Sequence, residues 1–343
     1  MAASKKKNNR QTSGDPTDAE IGTIRKSGPH RLRVVLVYPN RYSVGMSNLG
    51  FQTVYGLLNR FDGVACERAF LSDGKTPAEL RMASVESGRP LTEFDIIAFS
   101  VSFENDYPNM LEVLATAGLP LQSRERRDTH PLVIAGGVAC FLNPEPLAPF
   151  IDCFLIGEAE AMLEGFFACL QNKGYPEHRD RRQLLAACAR HVRGVYVPQF
   201  YRPFYDGTGG LAAVELLADV PEKVERTYLA DLSQIPTCSA VVTPHTTFDR
   251  TFLIEVGRGC PHGCRFCSAG FIYRPPRFRP LSLLQACMQQ GASVTDRIGL
   301  VGAAVSDLPG IKELCHRADS DDIRVSFSSL RADALDDDLV AAL

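Results

Sequence analysis

Short, nearly continuous apolar runs alternate along the first two thirds of the chain with stretches whose apolar residues recur every three or four positions. The runs at 32–37, 94–101, 131–135 and 153–156 read as buried strands. A helix is expected from Ser47, as N-cap, through Leu58, another from about Tyr107 to the C′ glycine Gly118, and a third from Glu158. Thr76-Pro77-Ala78-Glu79 has capping-box spacing with proline at the first helical position. Unbroken apolar strands separated by helices imply a parallel sheet covered on both faces. Residues 31–200 are therefore expected to form a Rossmann-like, doubly wound α/β domain, with its ligand crevice at the carboxyl ends of the strands. Those ends read Tyr38-Pro39-Asn40, Ser100-Val101-Ser102-Phe103, Gly136-Gly137-Val138 and Gly157-Glu158.

The pattern then breaks. Tyr205-Asp206-Gly207-Thr208-Gly209-Gly210 predicts a hairpin turn, and Pro221, Pro236 and Pro244 interrupt helices, so 201–250 reads as a linker that covers the cleft between two domains. From 251 the alternation resumes, with strands at 252–256, 298–302 and 323–328, a helix at 281–290 and the start of another at 333–343. Residues 1–30 lack apolar periodicity and read as a disordered tail.

Composition narrows the class. A chain of 343 residues with 45% hydrophobic content suits a soluble globular protein of two or three domains. A net charge of −3 gives no argument for nucleic acid or an anionic membrane, and no signal peptide or long apolar span is present. Most of the 11 cysteines are scattered in apolar runs, Cys153 for example, and read as small buried hydrophobes in a reducing cytoplasm.

Three cysteines stand apart in Cys260-Pro261-His262-Gly263-Cys264-Arg265-Phe266-Cys267, a C-x3-C-x2-C loop. The strand at 252–256 and Gly257-Arg258-Gly259 precede it, so the thiols fall at the carboxyl end of a sheet. Three thiolates suit three irons of a [4Fe–4S] cluster and leave the fourth iron open to a small molecule. Gly259 and Gly263 are expected to allow positive-φ backbone around the group. Zinc is the alternative, with His262 or a distant cysteine as fourth ligand, but no second C-x2-C or H-x3-H pair is present. The segment 271–280 carries Arg274, Arg277 and Arg279, which read either as facing an anionic substrate or as part of a rigid surface connection.

The cysteine loop resembles the cluster motif of radical S-adenosylmethionine (SAM) enzymes. In that family the open iron chelates SAM, and one electron cleaves it to a 5′-deoxyadenosyl radical that abstracts hydrogen from substrate. The resemblance implies Cys260, Cys264 and Cys267 as cluster ligands and Phe266 against the adenine. It implies SAM contacts at Gly302 and Ala303, where a Gly-Gly-Glu-like motif would stand without its Glu, and at Ser328 and Arg331. Asp307 is a candidate substitute for the missing Glu. An electron donor such as flavodoxin or ferredoxin and a small-molecule substrate are implied partners.

Domain order and the segments 33–49, 94–109, 133–146 and 156–160 resemble the B12-binding-domain radical SAM proteins, in a poorly characterised subgroup. This similarity covers nearly everything after residue 31. It implies a cobalamin-binding-type domain at 31–200 and the first part of a partial TIM-type β/α barrel at 251–343. Cobalamin, used for methyl transfer or rearrangement, would meet Ser100, Ser102, Gly136, Gly137, Gly157 and Glu158. The D-x-H-x-x-G signature is absent; Asp128-Thr129-His130 comes nearest, with Val133 where the glycine should stand. Cobalamin would thus bind without that histidine, or the domain would serve as a lid or substrate-binding module. Only 76 residues follow Cys267, so a fragment is expected, with an unpaired sheet edge and weak or no activity alone. A catalytically incomplete iron–sulfur or corrin-binding protein is the non-enzymatic alternative.

Overall fold

The computed structural model describes residues 16–26, 28, 32–72 and 82–341. The capping box at 76–79 and most of the expected N-terminal tail lie outside the described residues.

Alternation within the first strand decides the architecture. Along β1 (Leu32–Tyr38), Val34, Leu36 and Tyr38 belong to one core and Val35 and Val37 to another, and all five are buried. Such a strand can sit only in a sheet covered on both faces. It pairs in parallel with β2 (Val64–Phe70) and β3 (Ile96–Ser100), and β4 (Leu132–Gly136) and β5 (Cys153–Leu155) extend the parallel run. A short β6 (Val195–Tyr196) closes the edge antiparallel to β5. The order β2-β1-β3-β4-β5-β6 changes direction between β1 and β3, the topological switch point of a doubly wound sheet.

One face is packed by α1 (Tyr42–Met46), α2 (Leu49–Leu58), α5 (Ala159–Asn172) and α6 (Arg181–His191), the other by α3 (Tyr107–Thr116) and α4 (Val138–Leu142). The expected α/β domain is present, with differences in detail. Asn48, not Ser47, caps α2 by accepting from the Phe51 N–H (2.9 Å), while the Ser47 hydroxyl donates to the Ser43 carbonyl and ends α1. β2 escaped the apolar pattern because it carries Glu67 and Arg68. Arg68 is nevertheless fully buried, paired with Glu20 (2.7 Å) and Glu86 (2.6 Å).

The linker is more ordered than expected. Its hairpin is β7 (Tyr201–Tyr205) with β8 (Leu211–Leu216). Beyond it the chain threads between the two domains, with bridges from Thr227 to Gly157, Cys238 to Ile254 and Val242 to Ile21.

The second domain holds a parallel sheet of order β13-β12-β9, formed by β9 (Phe252–Glu255), β12 (Arg297–Val301) and β13 (Arg324–Phe327). Between β9 and β12 come a small antiparallel pair, β10 (Gly257–Arg258) with β11 (Arg277–Phe278), the short α7 (Ala269–Ile272) and α8 (Leu281–Ala292). The helix α9 (Ile311–Ser320) links β12 to β13, and α10 (Asp337–Ala341) follows, four residues later than the expected start at 333. The two edges of this sheet differ. The linker runs along β9, where Glu255 N–H donates to Thr237 and Ser239 N–H to Leu253 (both 2.9 Å). β13 forms the outer edge, with Arg324 and Ser326 exposed.

Candidate active-site cavity

The carboxyl ends of the two parallel sheets face each other across a cavity of about 590 Å³, within the range of small-molecule sites. From the first domain come Ser100, Ser102, Gly136, Gly137, Gly157 and Glu158; from the second come Gly302, Ala303 and Ser328. Two sets of residues, expected to serve two different ligands, thus line one space. Asn48, Phe141, Arg258 and Tyr273 join them without having been singled out from sequence. They lie on short elements and connections whose facing is set only when the domains pack.

Several of the first-domain residues are engaged within the protein. Gly137 has φ 108°, and a Cβ there would run into the backbone of Val101, whose N lies 2.9 Å from that position. The glycine lets the exit of β4 lie against the exit of β3. At Gly157 a Cβ would meet Thr227 of the linker in the same way. The Ser102 hydroxyl accepts from the Asn48 side chain at 3.0 Å.

Glu158, expected at the cobalamin face, is held instead in a buried ionic network between the domains. Its carboxylate meets Arg277 (2.7 Å) and Arg258 (2.8 Å) and accepts from the Leu229 N–H (3.0 Å). Arg258 also binds Glu160 and Glu255, and Glu255 reaches Arg279 at 2.5 Å. Arg277 and Arg279 are therefore neither surface connectors nor ligand-facing cations. They are buried, and they also donate to the linker carbonyls of Leu229, Leu232 and Ile235. Arg274 donates to the Gly270 carbonyl and lies over the Phe271 ring.

The network makes domain docking acid-sensitive. Burial alone would push the Glu158 carboxyl up, but the guanidinium groups of Arg277 and Arg258 outweigh it and hold the group below its ordinary value of 4.5. A carboxyl depressed on folding contributes stability that is present above pH 4.5 and lost as pH falls through its folded value. A Glu158→Gln variant is expected to melt below the parent at neutral pH and to approach it as pH drops below 4.5. Parallel melting curves at every pH would show that the pair contributes nothing to docking.

The cysteine loop leaves β10 through Gly259, whose φ of 81° lets it pass the Tyr273 carbonyl, where any Cβ would collide. Gly263 does not need its glycine this way: it lies outside the left-handed region and faces open space. Cys264 is exposed, Cys260 and Cys267 are partly exposed, and all three are unpaired thiols; the Cys267 N–H donates to the Cys264 carbonyl at 3.1 Å. Phe266 is 93% exposed. Among the described residues no three His, Cys, Asp or Glu side chains converge as a metal site. The donor chemistry fits an iron–sulfur cluster nonetheless, since three thiols with at least partial exposure lie within one loop. The flanking Gly259 and Ala269 line the cavity, while the three cysteines, Phe266 and Arg331 are not part of its lining. That loop is anchored to the first domain by Tyr273, which packs edge-on against Phe141 (6.1 Å, 80°) and whose phenol burial pushes up to about 12.

The residues expected to contact SAM show a similar division. The Gly302 carbonyl already accepts from the Ser328 (3.0 Å) and Ser329 (2.9 Å) hydroxyls, which use both of its lone pairs and leave Ala303 as the available backbone acceptor. Arg331 is paired with Asp307 (3.0 Å) and Asp333, and its Nη1 lies 2.9 Å from His262 Nε2. Asp307 in turn sits 2.6 Å from His262 Nε2, so it steadies the cysteine loop from the β12 side instead of lining the cavity.

Comparison with known proteins shows a similarity for the first domain. Residues 50–198 match the family model described as radical SAM proteins, N-terminal. The match falls within the doubly wound domain and stops before the cysteine loop. An uncharacterized protein of Methanocaldococcus jannaschii is 28% identical over 316 residues, which is 90% of this chain and 58% of that protein. The chain therefore spans 58% of the length of the curated relative it matches. Among the described residues no helix is long and apolar enough to cross a membrane.

Proposed function

We propose that the chain acts as a radical-SAM-type enzyme, with Cys260, Cys264 and Cys267 as ligands of a [4Fe–4S] cluster and SAM bound along the carboxyl ends of β9, β12 and β13. One observation carries the reading. A C-x3-C-x2-C loop follows the parallel strand β9 and the short β10, and its flanking residues Gly259 and Ala269 line a cavity whose opposite wall is a domain similar to the N-terminal domain of radical SAM proteins. When bound, the cluster would supply the electron that cleaves SAM. The chain's own residues would hold and enclose the reactants. The Ala303 backbone would accept from the SAM amino group, Phe266 would close over the adenine, and the first domain would exclude water from the substrate side. The net reaction and an electron donor of the flavodoxin or ferredoxin type belong to the same proposal.

The decisive experiment is electron paramagnetic resonance of anaerobically reconstituted, dithionite-reduced protein, with and without SAM, alongside iron and zinc analysis. A [4Fe–4S]⁺ signal that changes on adding SAM and disappears in Cys264→Ala is expected. Stoichiometric zinc, or a cluster indifferent to SAM, would refute the reading.

A corrin in the first domain is a second reading, favoured by the sheet order that changes direction between β1 and β3 and by Ser100 and Gly136 at the crevice. Among the described residues no histidine lines the cavity; His130 lies outside it, its ring accepting from the Arg127 N–H (3.0 Å). A corrin would have to bind without a histidine from this space, and no step is derived through it. Saturable binding of hydroxocobalamin with a shifted visible spectrum would support this reading.

A further inference from the structure

Away from the domain interface the cavity extends as a slot into the first domain, where its lining comes from the sheet and from helices α2 and α5. Val34, Leu36 and Ile96 form one wall, and Leu58, Leu163 and Phe167 the other. These residues are buried members of the core, yet they line open space. The depth can be gauged twice. From Ser100 at the rim to Ile96 is four strand residues, ~13 Å at ~3.3 Å each. From Gly50 to Leu58 is eight helical residues, ~12 Å at 1.5 Å each.

The lining selects the ligand. The deep walls are apolar, aliphatic except for Phe167 and Phe99, and the hydroxyl among them, on Thr53, is donated to the Leu49 carbonyl at 2.7 Å. A heterocycle, sugar or amide pushed inside would leave its own polar atoms without partners. The charged residues of the lining, Glu158, Glu160, Glu255 and Arg258, are closed on one another and on Arg277 and Arg279. Three carboxylates balance three guanidiniums, so nothing there favours an anionic head group. Polar groups suited to a neutral head sit at the rim, where Asn48 and Ser102 lie 3.0 Å apart.

We propose that this slot binds the aliphatic chain of an uncharged, lipid-like substrate whose hydroxyl or amide head stays at the rim beside Asn48 and Ser102. The inference rests on the reading of this cavity as the active one and adds a substrate class to it. Calorimetric titration of the protein with a series of n-alkanols tests it without any metal. Affinity is expected to rise roughly fourfold per added methylene, the equivalent of ~0.8 kcal/mol, and to level off once the chain exceeds the slot. Ala98→Leu and Val54→Phe fill the slot from opposite walls and are each expected to weaken decanol binding at least tenfold. Binding that ignores chain length, or that survives both folded variants, overturns the proposal. So does competitive displacement of decanol by hydroxocobalamin with a corrin spectral shift, which would assign the slot to a corrin. The two readings fail separately: alkanol binding without a SAM-sensitive resonance signal removes the cluster, and the reverse removes only the slot.

Discussion

Replacing Arg258 by methionine is expected to destabilise the protein by about 3–5 kcal/mol, because it leaves buried carboxylates without their counter-charge. Arg258 is 9% exposed and its partners Glu158, Glu160 and Glu255 are 3%, 4% and 16% exposed, so water screens the group little. The chain has no tryptophan, so far-UV circular dichroism is the suitable probe; a fall in melting temperature on the order of 10 °C is expected. Arg258→Lys should recover little of the loss, since an ammonium cannot serve three carboxylates in the geometry of a guanidinium. Adding Glu160→Gln to Arg258→Met should cost less than the sum of the single changes, because the two groups share one network. A loss below about 1 kcal/mol for Arg258→Met would mean that the network is loose and that domain docking depends on apolar contacts. The same variant should also make the Cys260–Cys267 loop more open to proteolysis, since Arg258 stands two residues before its first cysteine.

Gly137→Ala is the second large effect, expected to cost on the order of 3 kcal/mol or more from combined backbone strain and overpacking. The residue has φ 108°, and its new methyl would press into the Val101 backbone, which also holds Gly136 (Val101 N–H to the Gly136 carbonyl, 2.8 Å). Gly118→Ala is the control. It too has positive φ (74°), but open space surrounds it, so only the backbone preference of about 1–2 kcal/mol applies. Equal melting temperatures for the two variants would show that the β3–β4 exits have room to separate, and that Gly137 is kept for some other reason.

Much of the fold was legible because burial on both faces writes itself as unbroken apolar runs. β1, β3, β4 and β5 were read within a few residues for that reason, as were β9, β12 and β13. β2 was not, because a buried position in it is occupied by Arg68, whose charge meets Glu20 and Glu86 from other parts of the chain. The hairpin of the linker was legible from its turn residues. The course of the linker beyond it, pinned by Arg277 and Arg279, was not, since nothing local distinguishes a buried arginine from an exposed one.

The candidate site divides along the same line. The sequence by itself determined the cysteine spacing, the glycines after the strands and the strand ends that form the crevice, because these depend on neighbours along the chain. Tertiary structure alone decided that Ser100, Gly136, Gly302 and Ser328 share one cavity and that Glu158 belongs to an ionic lock. It also decided that Arg331 serves Asp307 and that an aliphatic slot opens beneath α2. The first two outcomes depend on which surfaces of two separately folded sheets come to face each other, and residues a hundred or more positions apart in sequence carry no local signal of that meeting. The Arg331–Asp307 pair and the slot arise inside one domain each, from side chains that meet only when strands and helices pack.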